Sequence, residues 1–194
     1  MSKKNVYNVE PLRSAEEIEE MKWAIKRGSK SSPKNKFLAE RDVLLFLVGI
    51  NTGLRINDLV SLKIRDVRND FFFIREGKTQ KKREINLTML RQEIDSFIQG
   101  KDPDEYLFKS QQGIKHITIT QAYRILNDAG EFLGRNDMGT HSMRKTFGYH
   151  HYKKFKDVAI LQEIFNHGSP TITRAYIGIR QDEINESLVD FRLG

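Results

Sequence analysis

The stretch between residues 63 and 87 restricts the possible folds of this chain more than any other. Its sequence, KIRDVRNDFFFIREGKTQKKREINL, is rich in β-branched and aromatic residues and contains turn-forming sequences at residues 68–70 and 76–83. Apolar runs separated by such turns are typical of neighbouring antiparallel strands. The pattern predicts a small three-stranded antiparallel sheet over roughly residues 63–87, with a tip rich in glycine and lysine.

Helical patterns occupy both sides of this sheet. Ser14 followed by Glu17 is a helix-start signal, and apolar residues at helical spacing then lead to a predicted helix end near Gly28. Further helices are predicted over 37–49, from a turn around Gly53 to residue 62, and over 89–97, 118–132, 141–153, 158–165, 170–176 and 182–191. The predicted fold class is therefore α+β, mainly α-helical, with one small sheet.

The composition limits the class of protein further. A length of 194 residues fits one domain, and a net charge of +7 favours a polyanionic partner, nucleic acid before a membrane surface. The absence of cysteine removes disulfides and thiolate metal sites. The longest apolar run, residues 43–50, is far shorter than the ~20 residues of a membrane span. Because no apolar signal segment follows the basic N-terminus, we expect a cytoplasmic protein with no membrane contact.

The segment THSMRKTFGYHHYKKF, residues 140–155, collects three of the five histidines. Zinc-binding helices place histidines four residues apart, whereas His150 follows His141 by nine and faces the opposite side of a helix at ~100° per residue. We therefore expect no metal here. His141 and Arg144 do share a helix face, so both can contact one small anion; the ordinary alternative is a solvated helix start.

Other candidate residues occur before and after this segment. Arg55 lies at a turn that enters a helix, with Asp58 one helical turn later, where it could orient Arg55 or pair with Lys63 on the surface. His167 follows a helix and precedes Tyr176 by nine residues; a helix cap and apolar packing are their ordinary alternatives. The predicted strand-to-strand tip carries Lys78, Lys81 and Lys82.

In this order, the residues resemble the catalytic set of the tyrosine recombinase, or phage integrase, family. The match consists of Arg55 in T-G-L-R, Lys78 on the hairpin, His141-x-x-Arg144, and His167 with Tyr176 at +9. It extends from about Ser14 to Ile179. The chain departs from the family at Phe165-Asn166-His167, where L-G-H is usual, and at Lys145, where histidine or arginine is frequent.

The resemblance implies a fold, the tyrosine recombinase catalytic fold, and a strand-cleavage reaction. Tyr176 would attack a DNA phosphodiester to give a 3′-phosphotyrosyl intermediate and a free 5′-hydroxyl, which later reacts in strand transfer. Arg55 and Arg144 would stabilise the transition-state charge. The reaction needs neither metal nor ATP, and no cofactor is expected.

The resemblance also assigns the proton transfers. His141 would activate Tyr176, and His167 would bind the phosphate. Lys78, favoured over Lys81 because it follows the glycine of the hairpin, would protonate the leaving 5′-oxygen. Asp58 would orient Arg55 and could also orient His141. His150 lies where family members carry a packed histidine, so a buried hydrogen bond is expected there.

The same resemblance describes domains and partners. Residues 1–194 are expected to form a single catalytic domain with a tail at 1–13 and a helical tail at 180–194, without the family's N-terminal core-binding domain. The expected partner is double-stranded DNA, contacted by Lys81, Lys82 and Lys145. Ile184, Leu188 and Phe191 share one face of the last helix. That face would pack on its own domain or on a neighbouring copy of the protein. The protein is expected to be a monomer in isolation and a tetramer on DNA.

Two alternative functions would fit the same residues. A type IB topoisomerase would share the chemistry, although the HSMRKTF segment and the His167–Tyr176 spacing favour a recombinase. A catalytically silent DNA-binding or regulatory module would keep the fold without the reaction. Retention of all the key residue types favours the enzyme, a bacterial or mobile-element site-specific recombinase or integrase.

Overall fold

The computed structural model describes residues 9–28, 35–75, 77, 80–189 and 191–192. These residues form a helical domain with one hairpin, β1 (Phe71–Arg75) and β2 (Lys82–Asn86). The helices are α1 (Ala15–Gly28), α2 (Asn35–Thr52), α3 (Ile56–Val60), α4 (Arg91–Ile98), α5 (Ile119–Phe132), α6 (Thr140–Phe155), α7 (Val158–Phe165), α8 (Pro170–Tyr176) and α9 (Ile179–Leu188). Short 3₁₀ turns lie at Ile64–Val67 and Thr88–Leu90.

The predicted fold class, mainly helical with a small antiparallel sheet, is confirmed. Each predicted helix is present, with ends within three residues of those expected. The helix-start signal at Ser14 acts as predicted, because the Ser14 hydroxyl accepts a hydrogen bond from the Glu17 N–H at 3.2 Å. The Glu17 carboxylate accepts from the N–H of Arg13 rather than from Ser14 itself.

The prediction of a third strand is wrong. In the described part of the chain the sheet has two strands, paired antiparallel with Phe71 opposite Asn86 and Arg75 opposite Lys82. The residues expected to form the first strand make the 3₁₀ turn Ile64–Val67, because the Asp66 carboxylate accepts the N–H of Lys63 at 2.8 Å and closes the turn locally. Ile64 and Val67 are buried three residues apart, as such a turn requires.

Helix α6 is shared by two hydrophobic clusters. On one side Met143 belongs to the main core, where it packs against Gly49 of α2; a Cβ on that glycine would collide with the Met143 sulfur. On the other side Tyr149 and Tyr152 join a smaller cluster completed by Leu161, Phe165, Ile177 and Ile179. The helix that carries His141 and Arg144 is therefore fixed from both sides.

None of the helices within the described ranges combines the length and apolar character needed to cross a lipid bilayer.

Gly148 allows α6 to approach the residues that follow Tyr176. A Cβ at this position would lie 2.5 Å from Ile177 and 2.7 Å from Phe165. We expect Gly148→Ala to destabilise the protein by about 1–3 kcal/mol, because neither neighbour can move freely in a packed cluster. Urea denaturation measures this. Gly28→Ala, where nothing lies within 4 Å, is the control and should not lower the midpoint.

Candidate active site

Tyr176 is the last residue of α8, and the ends of this helix determine where it lies. The helix starts at Pro170, with the Ser169 hydroxyl accepting the N–H of Ile172 at 3.3 Å. It stops at Tyr176, because Ile177 is buried and Gly178 turns the chain at φ +73. The Tyr176 side chain is consequently half-buried, with its ring against the small cluster.

His141 and Tyr176 are brought together as the sequence predicts. His141, in the first turn of α6, places Nδ1 3.2 Å from the Tyr176 hydroxyl. With Nδ1 unprotonated, the phenol donates this hydrogen bond, and the imidazole can accept its proton. The arrangement is the one needed for a base and its nucleophile.

The two predicted arginines converge on one backbone carbonyl. Arg144 is buried, donates from Nη2 to the Phe165 carbonyl at 3.0 Å, and donates from Nη1 to the Gly53 carbonyl. Arg55, at the residue before α3, donates from Nη2 to the same Phe165 carbonyl at 3.3 Å. These carbonyl oxygens help to orient the two guanidinium groups, and two cationic side chains so close together suit an anion.

His167 lies on the other side of the tyrosine. Its ring centroid is 5.0 Å from that of Tyr176, and its Nδ1 is 3.1 Å from the Thr173 hydroxyl. Burial, followed by the charges of Arg144 and Arg55, lowers the pKa of His167. The imidazole is therefore predominantly neutral at neutral pH and suited to hydrogen bonding.

The surroundings of Tyr176 have two opposing effects on the pKa of its phenol. Burial raises its pKa, while the charges of Arg144 and Arg55 oppose that rise. The net direction is upward, so the phenol is protonated at neutral pH, within hydrogen-bonding distance of the His141 imidazole.

Asp58 contacts the hairpin tip. It is buried, and its Oδ1 accepts the N–H of Gly77 at 3.0 Å, whereas its Oδ2 has no hydrogen-bond partner among the residues described. The hydrogen bond of the Asp58 carboxylate is therefore to the hairpin tip, whereas the sequence predicted a contact with Arg55. The surface alternative is not seen either, since the Lys63 ammonium lies over the Tyr106 ring at 5.6 Å.

Lys78, the predicted general acid, lies outside the described residues. Of the other tip lysines, Lys81 donates to the Asn166 side chain at 2.5 Å and so lies beside the loop that carries His167. The ammonium of Lys82 lies 3.9 Å from the centroid of the Phe73 ring, on an exposed part of the hairpin.

Two contacts near the tyrosine were not predicted. Lys145, expected at the DNA surface, is half-buried and lies 5.6 Å above the Tyr176 ring. Arg13 donates to the Gly178 carbonyl at 3.2 Å and to Asp182 at 2.5 Å. Both contacts join segments that are distant in the sequence, and no spacing or motif signals them.

The remaining histidines of α6 are packed or bonded away from the tyrosine. His150 is half-buried, with Nε2 3.0 Å from the Leu12 carbonyl, so the expected hydrogen bond is present. His151 packs between Phe147 and Phe155, with ring centroids 5.7 and 4.7 Å away. A metal-sized grouping of three or more histidine or carboxylate side chains does not occur in the described ranges.

Known proteins similar to this chain share its sequence pattern and its fold. The model of the phage integrase family matches residues 13–183. The probable integrase/recombinase YoeC of Bacillus subtilis is 47% identical over 176 residues, covering 90% of this chain and 92% of YoeC. Tyrosine recombinase XerA of Pyrococcus furiosus is 30% identical over 162 residues, covering 80% of this chain but 55% of XerA.

Solved structures agree on the fold. The crystal structure of XerA recombinase matches with a TM-score of 0.68 at 21% identity, covering 100% of this chain and 67% of XerA. XerH bound to a palindromic difH substrate matches with a TM-score of 0.65 at 23% identity, covering 96% of this chain and 54% of XerH. This chain thus spans about half to two thirds of the Xer proteins it matches.

Arg55→Met is a direct test of the site's electrostatics. Because the Arg55 charge lowers the pKa of both Tyr176 and His167, its removal should raise both. NMR of protein with ¹³C-labelled tyrosine and histidine rings measures both pKa values, with Tyr176→Phe and His167→Gln assigning the signals. Arg124→Met, on the exposed face of α5, should change neither. Unchanged pKa values in Arg55→Met would contradict the described site.

Proposed function

Since the chain belongs to the phage integrase family, we propose that it is a site-specific DNA recombinase that cleaves and rejoins strands through Tyr176. One observation supports this more than any other. The Tyr176 hydroxyl lies 3.2 Å from a candidate base, His141, while Arg144 and Arg55 meet at a single carbonyl beside it. Nucleophile, base and anion-binding cations are the groups that phosphodiester cleavage requires.

In the proposed first step, Tyr176 Oη bonds to phosphorus as the bond from phosphorus to the 5′-oxygen breaks. His141 accepts the phenolic proton, and the arginines bind the non-bridging oxygens as negative charge grows. The products are a 3′-phosphotyrosyl ester and a 5′-hydroxyl. Because the ester retains the bond energy, attack by another 5′-hydroxyl can rejoin the strand without ATP.

The leaving 5′-oxygen must gain a proton during this step. Lys78 remains the proposed donor, by its place in the family pattern. Lys81 is the alternative, supported by its contact with Asn166, the residue before His167. Asp58 is proposed to act on this part of the site through its hydrogen bond to Gly77. His167, neutral because of its lowered pKa, is proposed to hydrogen-bond the phosphate.

Double-stranded DNA is the proposed partner. The net charge of +7 favours a polyanion. XerH and lambda integrase, which share this fold, were solved bound to DNA. Lys82 is exposed beside the site and is a proposed phosphate contact, together with Lys81.

A covalent-trapping experiment tests the proposed reaction. Nicked duplexes with randomised sequence around the nick lose the short product after cleavage, so a phosphotyrosyl complex accumulates and survives denaturing electrophoresis. We expect a band from the unmodified protein and none from Tyr176→Phe, with Tyr123→Phe, an exposed tyrosine of α5, as the matched control. A silent DNA-binding module would bind the duplexes and give no band, and a band that survives Tyr176→Phe would remove this nucleophile.

We also propose that α9 packs on a neighbouring copy when the protein is assembled on DNA. Its acidic residues bind its own domain, with Glu183 accepting from Tyr152 at 2.5 Å and Glu186 from Lys153 at 3.0 Å. The apolar residues predicted to share this face are exposed: Ile184 and Leu188 on α9 at 43% and 55% of full exposure, and Phe191, beyond the end of the helix, at 65%. Apolar residues so placed are typical of a protein interface.

Leu188→Glu should weaken assembly on DNA without unfolding the protein. The new charge would have to be buried in the contact between copies, which costs several kcal/mol, whereas it stays solvated in a monomer. Crosslinking on DNA measures the assembly, and the thermal midpoint checks the fold. Ser187→Glu adds the same charge beside this face and should preserve assembly. Equal crosslinking of Leu188→Glu and unmodified protein would sink the proposal.

A further inference from the structure

Lys145 occupies an unusual place for a lysine of a DNA-binding surface. It follows Arg144 in α6, is half-buried, and its ammonium lies 5.6 Å from the centroid of the Tyr176 ring. A cation at this distance from a ring is attracted by the ring's electron density. The same ammonium donates a hydrogen bond to the Val9 carbonyl at 2.5 Å, which holds it in place.

The Val9 carbonyl is a fixed acceptor, because residues 9–13 run along α6. We call this segment the N-terminal strap. The Glu10 N–H donates to the Asp137 carbonyl at 3.1 Å, and the Leu12 N–H donates to the Thr146 hydroxyl at 2.9 Å. The Leu12 carbonyl is in turn 3.0 Å from His150 Nε2. The strap therefore has several anchors that do not involve Lys145.

The far end of the strap reaches the turn that follows the tyrosine. Arg13 donates to the Gly178 carbonyl at 3.2 Å and forms a salt bridge with Asp182 at the start of α9. Gly178 comes two residues after Tyr176 and has φ +73, so the chain changes direction there. The strap thus contacts the surroundings of Tyr176 at two points, the ring through Lys145 and the following turn through Arg13.

The charges around the phenol and around Lys145 come from several elements. Burial lowers the pKa of Lys145; Glu10 opposes this effect and Arg13 adds to it. The phenol itself is faced by His141 and Arg144 of α6, Arg55 before α3, and His167 after α7. Lys145 differs from these groups, because its ammonium lies over the tyrosine ring and bonds to the strap.

We propose that Lys145 is a positioning residue for Tyr176, held over the ring by the N-terminal strap. Its charge restricts the orientation of the ring and stabilises the phenolate as the proton leaves. This assigns Lys145 to the nucleophile rather than to a DNA phosphate. The proposal rests on the proposed role of Tyr176 as the nucleophile.

The test compares Lys145→Met, which keeps the length of the side chain but removes the charge, with Lys145→Arg, which keeps the charge. The rate of covalent complex formation on nicked duplexes is measured from neutral to alkaline pH, together with the affinity for DNA. We expect Lys145→Met to lower the rate at neutral pH by roughly fivefold and to move the rise of the rate to higher pH. Affinity should stay unchanged, and Lys145→Arg should restore both rate and profile.

Two results would overturn the proposal. One is a rate that falls by the same factor at every pH and is not restored by arginine, as a purely structural role predicts. The other is a loss of DNA affinity that accounts for the loss of rate, as a phosphate contact predicts.

A measurement without DNA separates this proposal from the proposed reaction. In protein with ¹³C-labelled tyrosine rings, Lys145→Met should raise the pKa of Tyr176. Lys153→Met, which removes a lysine of the same helix that pairs with Glu186, should not. Failure of the unmodified protein to form any covalent complex would remove the proposed function while a raised Tyr176 pKa still supported the contact. An unchanged pKa would reject the role of Lys145 even in an active enzyme.

Discussion

The convergence of Arg55 and Arg144 on the Phe165 carbonyl is the interaction on which the candidate site depends. A buried guanidinium is stable only when its N–H groups are satisfied, and here neutral carbonyl oxygens from Phe165 and Gly53 contribute to this. These carbonyl bonds add no negative charge of their own. The aromatic ring of Phe165 lies 4.3 Å from the Arg144 guanidinium and fixes its plane. One residue at the end of α7 thus holds both cations.

Much of the geometry around these cations follows from the position of α6. The helix buries Met143 in the main core and Tyr149 in the small cluster, and the two glycines facing these contacts, Gly49 and Gly148, leave no room for a side chain. A helix held in this way cannot rotate, so His141 is presented to Tyr176 and Arg144 to the Phe165 carbonyl from adjacent turns.

Most of the helices could be predicted from the sequence because apolar spacing and caps such as Ser14 and Ser169 act within a few residues. The third strand was predicted wrongly because a local bond, from the Lys63 N–H to Asp66, outweighs strand propensity. The approach of His141 to Tyr176 was expected because the candidate residues occur in the same order as the catalytic residues of the family. The partner of Asp58 could not be predicted, because its position follows from the packing of the hairpin tip on α3.

The contact of Lys145 with the strap was equally hidden, since it joins residues 136 positions apart. It also gives the site a positive charge that is held by the protein backbone. In the proposed reaction, a bound phosphate would compensate the charges of Arg55 and Arg144. Because these charges lower the pKa of Tyr176, that effect would weaken at the moment when Tyr176 has to attack the phosphate. A cation that bonds to the protein backbone, rather than to the phosphate, keeps its effect on the phenol at that moment. Lys145 is bonded in this way, so in its proposed role the charge over the Tyr176 ring stays in place while the phosphate occupies the arginines.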